Sequence, residues 1–205
     1  MAETAEQVAE KVTQYLGMGT RPVGVKLFTT ELDHRGPGKK RTFCQFVYEA
    51  ARGQDFVIAM EDLNCLNAEV ALGFREPKYV EIEPRIKSPT KAIRIGPVEE
   101  ADVVLFILNP EQVMTMSILL EGITARFKGD MAVCGEGVAY VKNSGEPNVT
   151  FLCNGARMNA DFQVQDVILS LPYVKFMELP TRMGRFSTLS HDAKQALTRL
   201  LLRLR

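Results

Sequence analysis

Neither sign of charge prevails in this sequence: its 205 residues carry 25 Lys plus Arg against 25 Asp plus Glu. That balance removes the one-sided field with which proteins hold nucleic acid or anionic lipid, so no nucleic-acid partner is expected. Apolar stretches are short. Those such as Val103–Leu108 have strand length and fall far below the roughly 18 residues that cross a bilayer. The opening Met1-Ala2-Glu3-Thr4-Ala5-Glu6 lacks the basic and then apolar order of a secretion signal. A soluble, cytoplasmic protein with no membrane association is therefore expected. Histidine is scarce, with only His34 and His191, and no G-x-S-x-G elbow occurs, which argues against nucleophilic triads. Gly135 and Gly137 form a G-x-G with Tyr140 where a dinucleotide fingerprint needs its third glycine.

What is present describes a globular chain. Hydrophobic residues make up 46% and charged residues 24%, enough apolar surface to offset chain entropy. The length suits one domain, with a lobe seam expected near residues 75–97, where prolines and glycines interrupt short strand-like pieces. Helical spacing over residues 5–16 stops at Gly17. Pro22–Phe28, Phe56–Met60 and Val103–Leu108 read as strands, and Tyr79–Ile82 and Ala92–Ile95 as edge strands or a lobe boundary. Helices are expected over Phe43–Arg52 and Asn64–Leu72. Another should start at Asn109-Pro110 and run to about Phe127 as a central helix, because its apolar residues lie all round. Met131–Val133 and Val149–Leu152 read as strands, each ending in a cysteine and a glycine turn. Val167–Leu171 is a further strand, followed by a helix over Tyr173–Leu179 and an apolar C-terminal helix from about Ser190, suited to sealing either a core or a homodimer. Strands interleaved with helices predict an α/β to α+β fold with a mixed sheet flanked by helices.

The four cysteines are the chemical signal. Cys44 and Cys65 fall in the first turns of predicted helices, and Cys134 and Cys153 where strands enter glycine turns. Unpaired N–H groups at such places lower thiol pKa and hydrogen-bond sulfur, and thiolate is the form that binds metal. The separations of 21, 69 and 19 residues fit neither zinc knuckles nor compact ferredoxin spacings. They leave open an iron–sulfur cluster, most simply [4Fe-4S], gathered from separate turns by all four thiols, or by three with one iron left for substrate. The alternative is four reduced core cysteines, since free cysteine is among the most buried residue types.

Several segments carry a family resemblance. Pro22-Val23-Gly24-Val25-Lys26-Leu27, Arg41-Thr42-Phe43-Cys44 with Glu49-Ala50-Ala51-Arg52-Gly53, Asn64-Cys65 with Ala71-Leu72-Gly73-Phe74, Leu108-Asn109-Pro110-Glu111-Gln112 and Cys153-Asn154-Gly155-Ala156-Arg157 resemble the prokaryotic domain-of-unknown-function family one hundred and sixty-nine. The resemblance spans about residues 20–180. It implies a cytosolic prokaryotic protein, common in anaerobes, with cysteines at the motif positions, and it implies no established reaction.

Arg41, Glu136 and Arg157 are the candidate catalytic residues beside the thiols, because arginine clasps anions bidentately and a partly buried glutamate can move protons near neutral pH. Glu49 and Arg52 lie nearby. For each one singly, a surface ion pair or a turn cap is the plainer role. The expected function is an iron–sulfur protein using Cys44, Cys65, Cys134 and Cys153 in electron transfer, or in reductive or Lewis-acid chemistry on a small molecule, with a small molecule or a redox protein as partner. The other reading is a metal-free ligand-binding or accessory module.

Overall fold

The computed structural model describes residues 3–33, 36–78, 80–126 and 133–185. Its elements run α1 (Ala5–Leu16), β1 (Val23–Phe28), α2 (Phe43–Ala50), β2 (Phe56–Ile58), a 3₁₀ turn (Met60–Asp62), α3 (Leu66–Ala71), β3 (Ala92–Gly96), β4 (Val103–Leu108), α4 (Pro110–Leu119), β5 (Thr124–Arg126), α5 (Val133–Ser144), β6 (Asn148–Phe151), α6 (Asn154–Asn159), β7 (Val167–Pro172) and α7 (Tyr173–Met177). The strands form one seven-stranded sheet in the order β2-β3-β1-β4-β7-β6-β5. Neighbours are antiparallel except for the parallel pair β5 and β6, so the sheet is mixed, as expected from the sequence.

Helix starts follow their capping chemistry. Thr4, Thr42 and Asn109 each cap a helix and accept from the third helical N–H, while Gln7, Gln45 and Gln112 reach back to the cap. Pro110 occupies the first turn of α4, where its missing N–H costs nothing.

Burial on both faces defines the centre of the sheet. Every residue of β4 is buried, which is why its sequence is an uninterrupted apolar run. Successive side chains point to opposite faces. Val103, Leu105 and Ile107 join one core with residues of α2, α3, α5 and α6, whereas Val104, Phe106 and Leu108 join a second core with residues of α1, α4 and α7.

Four expectations change. Val133 opens α5, so Cys134-Gly135-Glu136-Gly137 is the first turn of a helix and not a glycine turn after a strand; residues 131–132 lie outside the described residues. Gly135 faces α3: a Cβ at this position would sit in ordinary contact, 3.4 Å from the Ala71 Cβ and 3.6 Å from the Ala68 Cα. A Cβ on Gly137 would press on the Ser170 hydroxyl of β7. The helix from Pro110 ends at Leu119, short of Phe127, where Glu121 and Gly122 take positive φ and the chain turns into β5. It is not central either, since Met114 and Ile118 remain 60% and 49% exposed. β3 lies inside the sheet between β1 and β2, so Ala92–Ile95 is no edge, and residues 80–82 form no strand, Tyr79 lying outside the described residues. The C-terminal helix from Ser190, with His191, and His34 in the basic loop lie outside the described residues.

Candidate functional site

Each cysteine stands at the start of a helix. Cys44 is the second residue of α2, Cys65 the N-cap of α3, Cys134 the second residue of α5 and Cys153 the N-cap of α6. The N–H-rich surroundings expected of Cys134 and Cys153 are thus supplied by helix termini rather than by glycine turns. The Cys153 Sγ accepts a hydrogen bond from the Ala156 N–H at 3.3 Å.

Main-chain ties bring these helix starts together. The Arg41 N–H donates to the Asp62 carbonyl at 2.9 Å and the Asn64 N–H to the Arg41 carbonyl at 3.0 Å, a short parallel bridge that fixes the entry to α2 beside the entry to α3. The contact at Gly135 then lays the first turn of α5 on α3. Cys44 and Cys134 are buried in the core on this face of the sheet, and the half-buried Cys65 and Cys153 pack against it.

The consequence is electrostatic. Every one of the four thiols lies within range of the other three, and Cys44 and Cys134 share a hydrogen bond. Cys134 donates, which holds the Cys44 thiol below the ordinary value and pushes Cys134 well above it. Burial pushes Cys65 and Cys153 up, against the pull of nearby backbone N–H groups, and the neighbouring thiols add to the rise. All four are free. Four thiolates here would repel one another, so the group favours either protons or a cationic centre that removes them. Among the described residues no three His, Cys, Asp or Glu side chains are gathered as a site for a metal ion.

The candidate catalytic residues have defined surroundings. Arg41 pairs with Glu49 and lies over the rings of Phe46 and Phe56, with centroids 5.8 and 5.9 Å away. Arg157 donates to the carbonyls of Leu152 and Val164 at 3.3 and 2.7 Å, fastening the loop after α6. Glu136 is buried in the first turn of α5. The two arginines therefore already serve the local architecture.

Sequence reasoning missed a polar cleft of about 660 Å³ behind α2, lined in part by Arg21, Tyr48, Arg52, Asn109, Asp161 and Asp166. Cys44, Tyr48 and Arg52 follow at four-residue steps, the spacing of one helix face, and this was the available signal. The edge-to-face rings of Tyr48 and Phe162, 5.1 Å apart, tie α2 to the loop that leads from Cys153 and α6 into the cleft wall.

Comparison with known proteins adds kinship without a reaction. Residues 11–181 match the model of the family DUF169, described as an uncharacterised ArCR. An uncharacterized protein of Methanocaldococcus jannaschii is 26% identical over 118 residues, covering 53% of this chain and 51% of that protein. The chain thus spans about half the length of this curated relative. No solved structure matches significantly.

Proposed function

We propose that this chain, which belongs to the uncharacterised family DUF169, binds an iron–sulfur cluster through Cys44, Cys65, Cys134 and Cys153. A [4Fe-4S] cubane suits the reading because it takes one thiolate on each of four irons, so its ligands stand around a body larger than one ion. The observation that carries the proposal is that four free thiols stand at the starts of four separate helices on one face of the sheet, with Cys44 and Cys134 sharing a hydrogen bond, although as placed no three of them are gathered as a metal site. Thiols so placed resist simultaneous ionisation in water. A cluster replaces their protons with positive metal centres, and its uptake is accompanied by proton release.

The role that follows is one-electron transfer to a partner, or reductive or Lewis-acid chemistry on a small molecule if one of the half-buried thiols, Cys65 or Cys153, leaves its iron open. Arg41, Glu136 and Arg157 stand near enough in sequence to position a substrate or carry a proton there.

Anaerobic purification and reconstitution test this directly. The expected product is brown, with about four iron and four sulfide per chain. Cys44→Ser and Cys134→Ser should abolish stable loading, and Cys65→Ser or Cys153→Ser should leave at most a labile three-thiolate form. A colourless, folded protein that takes up no iron overturns the proposal and favours a metal-free ligand-binding module.

A further inference from the structure

The cleft behind α2 is built from groups the thiol centre does not use. Two arginines are among its lining residues: the Arg21 N–H donates to the Ala51 carbonyl at 2.9 Å, which places the Arg21 main chain next to the segment that bears Arg52. Neither guanidinium forms an ion pair with a carboxylate among the described residues. Arg52 is steadied by Tyr48 instead, lying 5.8 Å over its ring and donating to its hydroxyl at 3.4 Å. Among the other described arginines, Arg41, Arg75, Arg85, Arg94 and Arg182 each pair with a carboxylate and Arg157 donates to carbonyls, while Arg185 is exposed and lies away from this cleft's lining. Arg21 and Arg52 line this cleft without an ion pair of their own, and an anion held there would accept charge-assisted hydrogen bonds from their guanidinium groups, bidentate where the geometry allows.

The α6–β7 loop adds carboxylates to the same cleft: Asp161 and Asp166 line it, and Asp166 accepts the Gln163 N–H at 2.7 Å. Ionised carboxylates only accept hydrogen bonds, so they suit donor groups such as hydroxyls. The volume of about 660 Å³ lies within the range typical of small-molecule sites.

We infer that this cleft binds a small oxyanion-bearing metabolite, its carboxylate or phosphate clasped by Arg21 and Arg52 and its hydroxyl groups turned towards Asp161 and Asp166. The site goes beyond the cluster reading and stands on different residues. It adjoins the thiol centre through α2, which bears Cys44 in its first turn, Tyr48 one turn on and Arg52 just past its end.

Isothermal titration of the full chain with malate and with inorganic phosphate tests it. Saturable binding of at least one probe is expected, malate pointing to an organic acid and phosphate to a phosphorylated metabolite. Arg21→Gln and Arg52→Gln should each weaken binding about tenfold or more, the loss of one charge-assisted contact. Arg52→Lys should recover part of the affinity, because it restores charge but not the fork. Melting midpoint and reconstituted iron content, measured on the same variants, should match the parent. Absence of saturation with both probes, or variants that bind as the parent does, overturns the inference. Iron loading without anion binding would sink the cleft alone, and anion binding without iron would sink the cluster alone.

Discussion

The two faces of the sheet are covered by different kinds of material. On one side, Val104, Phe106, Leu108, Leu169 and Leu171 pack with residues of α1, α4 and α7 into a core that contains no cysteine. On the other side, residues of α2, α3, α5 and α6 cover Val103, Leu105 and Ile107, and all four thiols lie here. Near this face, burial extends to Glu69, Glu136, Thr150 and Ser170, and Gly137 gives up side-chain packing for close approach to Ser170. Two of its helices, α3 and α6, have only six residues each and carry Cys65 and Cys153 as N-caps, whereas the equally short α7 on the other face, with five residues, brings no thiol. Short helices offer proportionally more terminal N–H groups and less apolar surface, a poor way to stabilise a fold and a good way to surround sulfur with donors. One face carries no thiol, and the other carries all four.

The comparison can be broken from its thiol-free side first. Phe106→Ala removes a fully buried ring that packs 6.1 Å from the ring of Phe176. It should cost about 3–5 kcal/mol by chemical denaturation, while iron per folded chain stays unchanged. A loss of iron in the folded fraction would show that the two faces are not separable. The next largest effect belongs to the thiol side. Gly73 closes α3 with φ of 79°, and a Cβ there would lie 2.9 Å from the Ser88 carbonyl and 3.1 Å from that of Ile86. Gly73→Ala should cost about 1–3 kcal/mol from left-handed strain together with a backbone clash. It should also loosen Cys65, read as faster alkylation of that thiol; a neutral substitution would mean that the loop at residues 86–88 yields freely.

The pH dependence of the apoprotein sharpens the same contrast. Cys65 and Cys153 are raised above the ordinary thiol value chiefly by burial, so their contribution to stability is full below the unfolded value and is lost as pH rises through the folded one. Cys44, lowered by the hydrogen bond from Cys134, acts in the opposite sense, and the rise at Cys134 opposes it within the pair. The melting midpoint should therefore fall above about pH 8.5. The fall should be shallower in a Cys65→Ser, Cys153→Ser double variant. Identical slopes would place the pH effect outside the thiol group.

How much of this was written in the chain depends on the range of the interaction that decides it. β4 was legible because a strand buried on both faces must be apolar throughout, and the start of α4 because Asn109, Pro110 and Gln112 act within one turn. The first turn of α5 was not, since Gly135 and Gly137 are turn-formers by local preference, and only in the folded helix does Gly137 serve packing, against Ser170. Apolarity alone also misplaced α4, because Met114 and Ile118 are exposed for reasons of position in the fold. The cysteines were identifiable as residues at N–H-rich positions. Their convergence was not, because it depends on strand order and on the bridge between Arg41 and Leu63.

That bridge frames the smallest expected effect. Arg41 contributes twice to the thiol side, through its backbone, which ties α2 to α3, and through its side chain, which pairs with Glu49 and covers two rings. The ion pair is partly exposed, with side chains 28% and 38% accessible, so Glu49→Gln should cost no more than about 1 kcal/mol, and less at high salt. Arg41→Met keeps the backbone bonds and much of the apolar stem over Phe46 and Phe56, and should be similarly mild in stability. The two variants separate under reconstitution. If the guanidinium serves only packing, both load iron as the parent does. If Arg41 positions a substrate or partner beside the cluster, Arg41→Met alone should slow electron transfer at full iron content, while Glu49→Gln, which frees the guanidinium, should not.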